Sequence, residues 1–323
     1  MAPVLFDFIP MGSVVKPAQN KLYVDVGNNF CNGILDHHHL GAPEACATML
    51  AYQYPDMIKS QIIGNNPLTI ITHLYPDMDA IGATWFARRQ LMGATLNSQD
   101  KEIAEYICDV DRGYTAIDTG KSVSVYSIMV TGFNRIYSTE DEPKIKSKLA
   151  LEFGLTVLDK LKEFMESGKK LNDSEGLSSL SEFQSEIELI KSDHQVYVQD
   201  IQRAKRLECN LPKKESEGLL SVLGLSIIQP NSVLFKSWAR GEGYDFLVVN
   251  ISATRTIISV SPDCGVYLKG LGDILEKAEN QKRRNLGNIR KGKKRPGYNS
   301  PDPWYDGRNA IHNYTIVDSP MNG

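Results

Sequence analysis

The sequence predicts an α/β chain: an N-terminal domain with a parallel sheet flanked by helices, followed by a smaller α+β domain. Three observations lead there. Residues 22–26 and 68–72 are short runs rich in β-branched residues that end at polar or glycine positions, the pattern of buried strands. Each delivers an acid or a histidine, Asp25 or His73, at or just beyond its C-terminal end. Helix-forming segments at 43–54 and 79–91 follow those strands closely, which is the rhythm of a layered α/β domain whose ligands sit outside the strand C-termini.

Further helices are expected at about 101–112 and 143–168; the second carries Leu149, Leu151, Phe153, Leu155, Leu158, Leu161 and Phe164 for a core. Residues 167–180, rich in Gly, Ser, Asn and Lys, interrupt the helical pattern and read as a connector. A long helix then runs from about Ser181 to about Cys209, and Asn210-Leu-Pro-Lys-Lys punctuates the chain. The expected division is therefore a metal-binding catalytic domain over 1–166, a linker and connecting helix over 167–210, and a small substrate-binding domain over 211–323. In the last, 218–230, 244–252 and 255–261 look like strands and 271–281 like a short helix.

Length and composition agree with this division. A chain of 323 residues is long for one core, and 41% hydrophobic with 23% charged residues excludes a disordered or fibrous chain. Residues 1–17 place no Lys or Arg ahead of their apolar stretch, and no run approaches the roughly 20 apolar residues of a membrane span, so neither secretion nor insertion is expected. Cys31, Cys46, Cys108, Cys209 and Cys264 are scattered and form no CxxC pair, which argues against a disulfide framework or zinc knuckle and for the cytoplasm. The net charge of −3 hides a basic block from Lys282 to Arg295, with eight Lys or Arg and no acid. Such a block either attracts phosphate-bearing ligands or is a solvated loop.

Two clusters carry chemistry. Ile34-Leu-Asp36-His37-His38-His39 sets an acid beside consecutive histidines after a short apolar run, well inside the chain, where an expression tag would not lie. Imidazole nitrogen and hard carboxylate oxygen together suit Mn²⁺ and also admit Zn²⁺, Co²⁺ or Fe²⁺. Thr72-His73-Leu-Tyr-Pro-Asp77-Met-Asp79-Ala-Ile-Gly82 puts one His and two Asp within seven positions at a strand end. Taken singly, His73 reads as a core histidine and Asp77 or Asp79 as a helix cap. Together with Asp25 and the histidine cluster they suffice for a pair of ions.

On these residues the chain resembles the DHH phosphoesterases, which include RecJ-like exonucleases, short-oligonucleotide hydrolases and cyclic-dinucleotide phosphodiesterases. His73-Leu-Tyr-Pro-Asp77-Met-Asp79-Ala-Ile-Gly82 looks like the family's H-x-x-P-D-x-D-A-x-G motif, and Asp36-His37-His38 like its signature triplet. Asp25, in Val-Asp-Val-Gly, is similar to a lone motif aspartate. Asp109-Val-Asp111-Arg-Gly113 resembles a fourth motif, favouring Asp111 with Asp109 as competitor. The order is permuted, because Asp25 and the triplet precede the longer motif, and the step from Asp25 to Asp36 is short. The motifs cover roughly residues 20–115.

The resemblance implies a DHH-type N-terminal domain and two divalent ions, Mn²⁺ first with Mg²⁺ or Co²⁺ as alternatives. Asp25 would bridge them, with His73 and Asp77 on one side and Asp79, His37 and Asp111 on the other. It implies catalytic roles for His38, near the phosphate or leaving oxygen, and for Asp36, orienting an imidazole. The expected activity is hydrolysis of phosphodiester bonds in a nucleotide-containing substrate, a short oligonucleotide or a cyclic or dinucleotide. The family's glycine-rich C-terminal substrate loop is absent, so Trp304, Tyr305, Arg308 and His312, with Arg295 of the basic block, are the candidate substrate residues. No membrane partner is expected, and a homodimer is allowed. The rival reading is a sensor that binds nucleotide without turnover, or a nucleic-acid-binding component of a larger assembly.

Overall fold

A computed structural model describes residues 4–39, 41–61, 66–118, 123–252, 255–285, 287, 303–305 and 314–319. Its elements run β1 (Val4–Ile9), β2 (Lys21–Val24), β3 (Phe30–Cys31), β4 (Ile34–Leu35), α1 (Ala47–Gln53), α2 (Pro55–Lys59), β5 (Leu68–His73), α3 (Met78–Leu91), α4 (Ser98–Arg112), α5 (Val125–Tyr137), α6 (Pro143–Glu166), α7 (Ser174–Ser178) and α8 (Gln184–Arg203). There follow β6 (Lys205–Pro212), β7 (Leu219–Ile228), α9 (Phe235–Gly241), β8 (Phe246–Ser252), β9 (Arg255–Val260), α10 (Leu271–Asn285) and β10 (Ile316–Asp318). The chain divides into two compact units, Met1–Arg112 with Val123–Glu188, and Gly113–Ser122 with Leu189–Gly323.

Both sheets are mixed and flanked by helices. The first has the order β1-β5-β2-β4-β3, with β1, β5, β2 and β4 parallel and only β3 antiparallel to β4. Leu22, Val24, Ile34, Leu35 and Ile70 are buried, as continuous apolar strands between helical layers must be. The parallel sheet read from the sequence is thus corrected at one edge: Asn32 and Gly33 turn the chain into a short hairpin that adds β3. The sequence reading also passed over β1, at the opposite edge, and α5.

Helix α3 is the hub of this unit, buried along eleven of its 14 residues, with Trp85 and Phe86 fully enclosed. It has no polar face. Its position depends on Gly82, where a Cβ would run into the Thr48 hydroxyl of α1 and come within 2.7 Å of Ile107 Cδ1 on α4.

The second sheet has the order β10-β9-β8-β7-β6, antiparallel except for β7 with β8, which α9 connects. The long helix expected to reach Cys209 ends at Arg203. Residues 205–212 alternate instead, with Leu207, Cys209 and Leu211 packed on the core of Val222, Phe246, Ile258 and Val260, and the strand pairs with β7 throughout. A period of two that buries one face outweighs the helical propensity of Lys, Arg, Leu and Glu. Among the described residues no helix is long and apolar enough to cross a membrane.

Candidate metal centre

The neighbouring strands β5, β2 and β4 run parallel, so their C-terminal ends lie together at one edge of the first sheet. Asp25 follows β2, Asp36 and His37 follow β4, and His73 closes β5. Asp77 caps α3, its Oδ1 accepting the N–H groups of Asp79 (3.0 Å) and Ala80 (3.1 Å). Asp111 comes from the end of α4.

The turn after β2 is shaped for this purpose. Asp25 and Asn28 adopt left-handed φ of 56° and 55°, which short polar side chains tolerate, and Gly27 lies at 127°. A Cβ on Gly27 would also stand 2.8 Å from Ile34 Cγ2 and 2.9 Å from Val15 Cγ2. Asp36 ties the turn to the histidine loop: Oδ2 accepts Asn28 N–H at 2.5 Å, and Oδ1 faces the backbone N–H (3.0 Å) and Nδ1 (2.7 Å) of His38.

The two oxygens of Asp25 face different imidazoles. Oδ1 is 3.2 Å from His37 Nε2 and 3.5 Å from His38 Nδ1, and Oδ2 is 3.2 Å from His73 Nε2. His37 Nε2 is in turn 3.4 Å from Asp79 Oδ2 and 3.9 Å from Asp111 Oδ2, while His73 Nε2 is 3.9 Å from Asp77 Oδ1. Two ligand atoms each about 2.1 Å from one ion, at tetrahedral to octahedral angles, stand about 3.0–3.4 Å apart. Asp25 with His73, Asp25 with His37 and His37 with Asp79 have this spacing, and three groups offer ligand atoms within 4.8 Å of one another: Asp25 with His73 and Asp77, His37 with Asp79 and Asp111, and Asp25 with His37 and His38.

The supports of these side chains come from distant parts of the chain. Asp79 accepts the N–H groups of Ala47 and Thr48 at 2.8 Å each, and the Thr48 hydroxyl donates to its carbonyl at 2.8 Å, so the start of α1 fixes this carboxylate. Nothing local in the sequence marks Ala47 or Thr48 for that role. His73 Nδ1 is 3.0 Å from the Leu74 carbonyl, a contact that keeps a proton on Nδ1 and aims Nε2 at Asp25 Oδ2.

Electrostatics single out the same atoms. Asp25, Asp79 and His37 are at most 2% exposed. Burial works against the charge on Asp25, yet the imidazoles of His37, His38 and His73 hold its carboxyl far below the usual range. Burial opposes protonation of His73, but Asp25 and Asp77 outweigh it and push the imidazole up to about 9. His37 is raised likewise by Asp25, Asp79 and Asp111. Asp111 is driven up by burial and by the carboxylates of Asp79, Asp77 and Asp25. Protons on His37 and His73 stand in for missing positive charge. Asp25 Oδ1, His37 Nε2 and Asp111 Oδ2 are buried and have no hydrogen bond among the described residues, although they point at one another. Orphaned polar atoms are costly unless a ligand completes them, and this donor set of hard oxygens and imidazole fits divalent ions.

Asp109 lies on the outer face of α4, 54% exposed, with Arg112 at 3.5 Å. In the second unit Trp304 packs on the sheet core, and its indole N–H donates to Glu279 at 2.5 Å. Tyr305 exchanges backbone hydrogen bonds with Asp318 at 2.9 and 2.8 Å. Arg295, Arg308 and His312 lie outside the described residues, as does the basic block beyond Lys282, Arg283 and Arg284, which end α10.

No family model, no curated protein and no solved structure matches the chain.

Proposed function

We propose that this protein is a metal-dependent phosphohydrolase of DHH type that cleaves phosphodiester bonds in a nucleotide-containing substrate, a short oligonucleotide or a cyclic or dinucleotide. The observation that carries the reading is Asp25: one buried carboxylate whose two oxygens each stand 3.2 Å from a different buried histidine, His37 and His73. A lone ion needs no such two-sided acid, whereas a pair about 3.5–4 Å apart does. Asp25, His73 and Asp77 would hold one Mn²⁺, and Asp25, His37, Asp79 and Asp111 the other. Bound there, the ions supply an activated water and positive charge for the non-bridging phosphoryl oxygens.

The protein's own groups do the rest. Asp36 fixes the ring of His38 through Nδ1, and the His38 side chain is 33% exposed, so it reaches solvent where its neighbour His37 does not. Its Nε2 would then give a proton to the leaving oxygen. Asp79, anchored on two N–H groups of α1, keeps its geometry as charge moves in the site.

The test is a panel of labelled dinucleotides, longer oligonucleotides, cyclic dinucleotides and pyrophosphate, incubated with Mn²⁺-loaded protein with and without chelator. Chelator-sensitive cleavage of a nucleotide substrate is expected. Binding with every ligand left intact would establish the sensor reading, and cleavage of pyrophosphate alone would remove the nucleotide.

A further inference from the structure

Between His73 and Asp77 stands Tyr75, with φ at 57° and 42% of its surface exposed. A bulky aromatic residue in the left-handed region is an outlier, and glycine or asparagine would make this turn with less strain. The ring is not buried, so core packing does not explain it. It is nevertheless held firmly. Ser147 Oγ on α6 accepts the Tyr75 N–H at 2.8 Å, and the Tyr137 hydroxyl on α5 donates to the next carbonyl, Pro76, at 2.8 Å.

Behind it lies a file of aromatic rings. Tyr75 meets Tyr137 edge to face at 5.2 Å, Tyr137 stacks on Phe133 at 6.0 Å, Phe133 meets Phe153 at 6.2 Å, and Phe153 meets Phe183 at 6.0 Å. Phe183 and Phe133 are 2% and 7% exposed and Phe153 and Tyr137 are half-buried, so the file is rooted in the core and most exposed at Tyr75. Gly132 makes room for it, since a Cβ there would collide with the Phe153 ring. A strained, buttressed and exposed ring two residues from each of two metal-centre side chains is suited to stacking on a planar group.

We infer that Tyr75 is a base-stacking subsite beside the metal centre, selecting substrates that carry a nucleobase next to the scissile phosphate. The inference rests on the proposed phosphohydrolase reading and deepens it by moving base recognition into the first unit, onto a residue of the metal-binding loop itself. Stacking of a base on an aromatic side chain is worth roughly a 5- to 150-fold change in affinity.

The experiment uses full-length protein loaded with Mg²⁺ and a dinucleotide containing 2-aminopurine, whose fluorescence is quenched on stacking, with ribose 5-phosphate as a ligand without a base. The wild-type protein and Tyr75→Phe should quench the fluorophore. Tyr75→Ala should abolish the quench and weaken dinucleotide binding roughly 5- to 150-fold while leaving ribose 5-phosphate affinity unchanged. Tyr75→Gly, which removes the ring and relieves the positive φ, should match Tyr75→Ala even if the alanine variant folds poorly. Quenching and affinity retained in Tyr75→Gly, or no quench by the wild-type protein, would overturn the inference. Ring-dependent quenching without turnover of any dinucleotide would refute the hydrolase and leave the subsite standing.

Discussion

Raising the pH from 7 to 9 should tighten divalent-metal binding, because the side chains that would take the ions hold protons at neutral pH. His73 sits at about 9 in the metal-free protein, where Asp25 and Asp77 outweigh the cost of burial. At pH 7 about one molecule in a hundred then has a neutral His73, and displacing the proton costs about 2.7 kcal/mol, two pKa units at 1.36 kcal/mol each. The apparent affinity on the His73 side should therefore rise about tenfold per pH unit from 7 to 9 and level off above. His37, also raised, adds a second proton on the other side of Asp25.

Calorimetric titration of chelator-treated protein with Mn²⁺, in pairs of buffers with different ionisation heats, gives both the affinity and the number of protons released. At least one proton per bound ion is expected at pH 7, falling toward half at pH 9 for the His73 side. An affinity flat across this range, with no proton release, would mean that metal does not displace the protons of these histidines, and the assignment of both ion positions would fall with it.

The same shift makes the metal-free protein's stability pH-dependent. His73, with its pKa raised on folding, stabilises fully below about 6.5 and loses that contribution as pH rises through about 9, so the metal-free Tm should fall over this window and the Mn²⁺-loaded Tm should not. Alanine at Asp25 or Asp79 should abolish hydrolysis in protein that keeps its circular dichroism spectrum; full activity in either would contradict the assignment. Asp111→Ala should weaken metal binding by tenfold or more, whereas Asp109→Ala, on the exposed face of α4, should change it less than twofold by the same titration. Gly82→Ala should cost roughly 1–3 kcal/mol in urea unfolding, since its methyl presses on Thr48 and Ile107, and should weaken metal binding through the Thr48 contacts to Asp79.

Legibility in the sequence followed the range of the interactions. Strands β2 and β5 and helices α3 and α4 were readable because apolar runs and helix formers are local signals, and the clusters at 36–39 and 73–79 were readable because ligand types are seldom so crowded. Gly82 ends the longer motif, and the near approach of Thr48 that its missing Cβ permits comes from α1, which the motif does not place. Strand β6 was not readable: its four-residue start favours a helix, and only pairing with β7 shows that its alternation wins. The choice between Asp109 and Asp111 needed the rotation of α4, which turns one toward His37 and the other toward solvent. Tyr75 gave no sign of its positive φ, because the groups that hold its turn, Ser147 and Tyr137, lie about 60 to 70 residues further along the chain.

For the proposed pair of ions, what matters is which strand ends are neighbours and not the order of Asp25, His37 and His73 along the chain. Coordination needs the ends of β5, β2 and β4 to be neighbours, and the sheet order makes them so even though β5 comes last in the chain. What the arrangement does demand is cationic charge: Asp25, Asp79 and Asp111 meet His37 in a space that excludes water from all but a small part of Asp111. Imidazolium at His37 and His73 neutralises part of this in the free protein, but Asp25 Oδ1 and Asp111 Oδ2 are left without a directed hydrogen bond. A fold seeking only stability would fill such a space with apolar side chains, since a buried cluster of charge is commonly no better than a hydrophobic replacement. Retaining carboxylates there, supported by two backbone N–H groups of α1, makes sense for a site whose charge is completed by ions from outside.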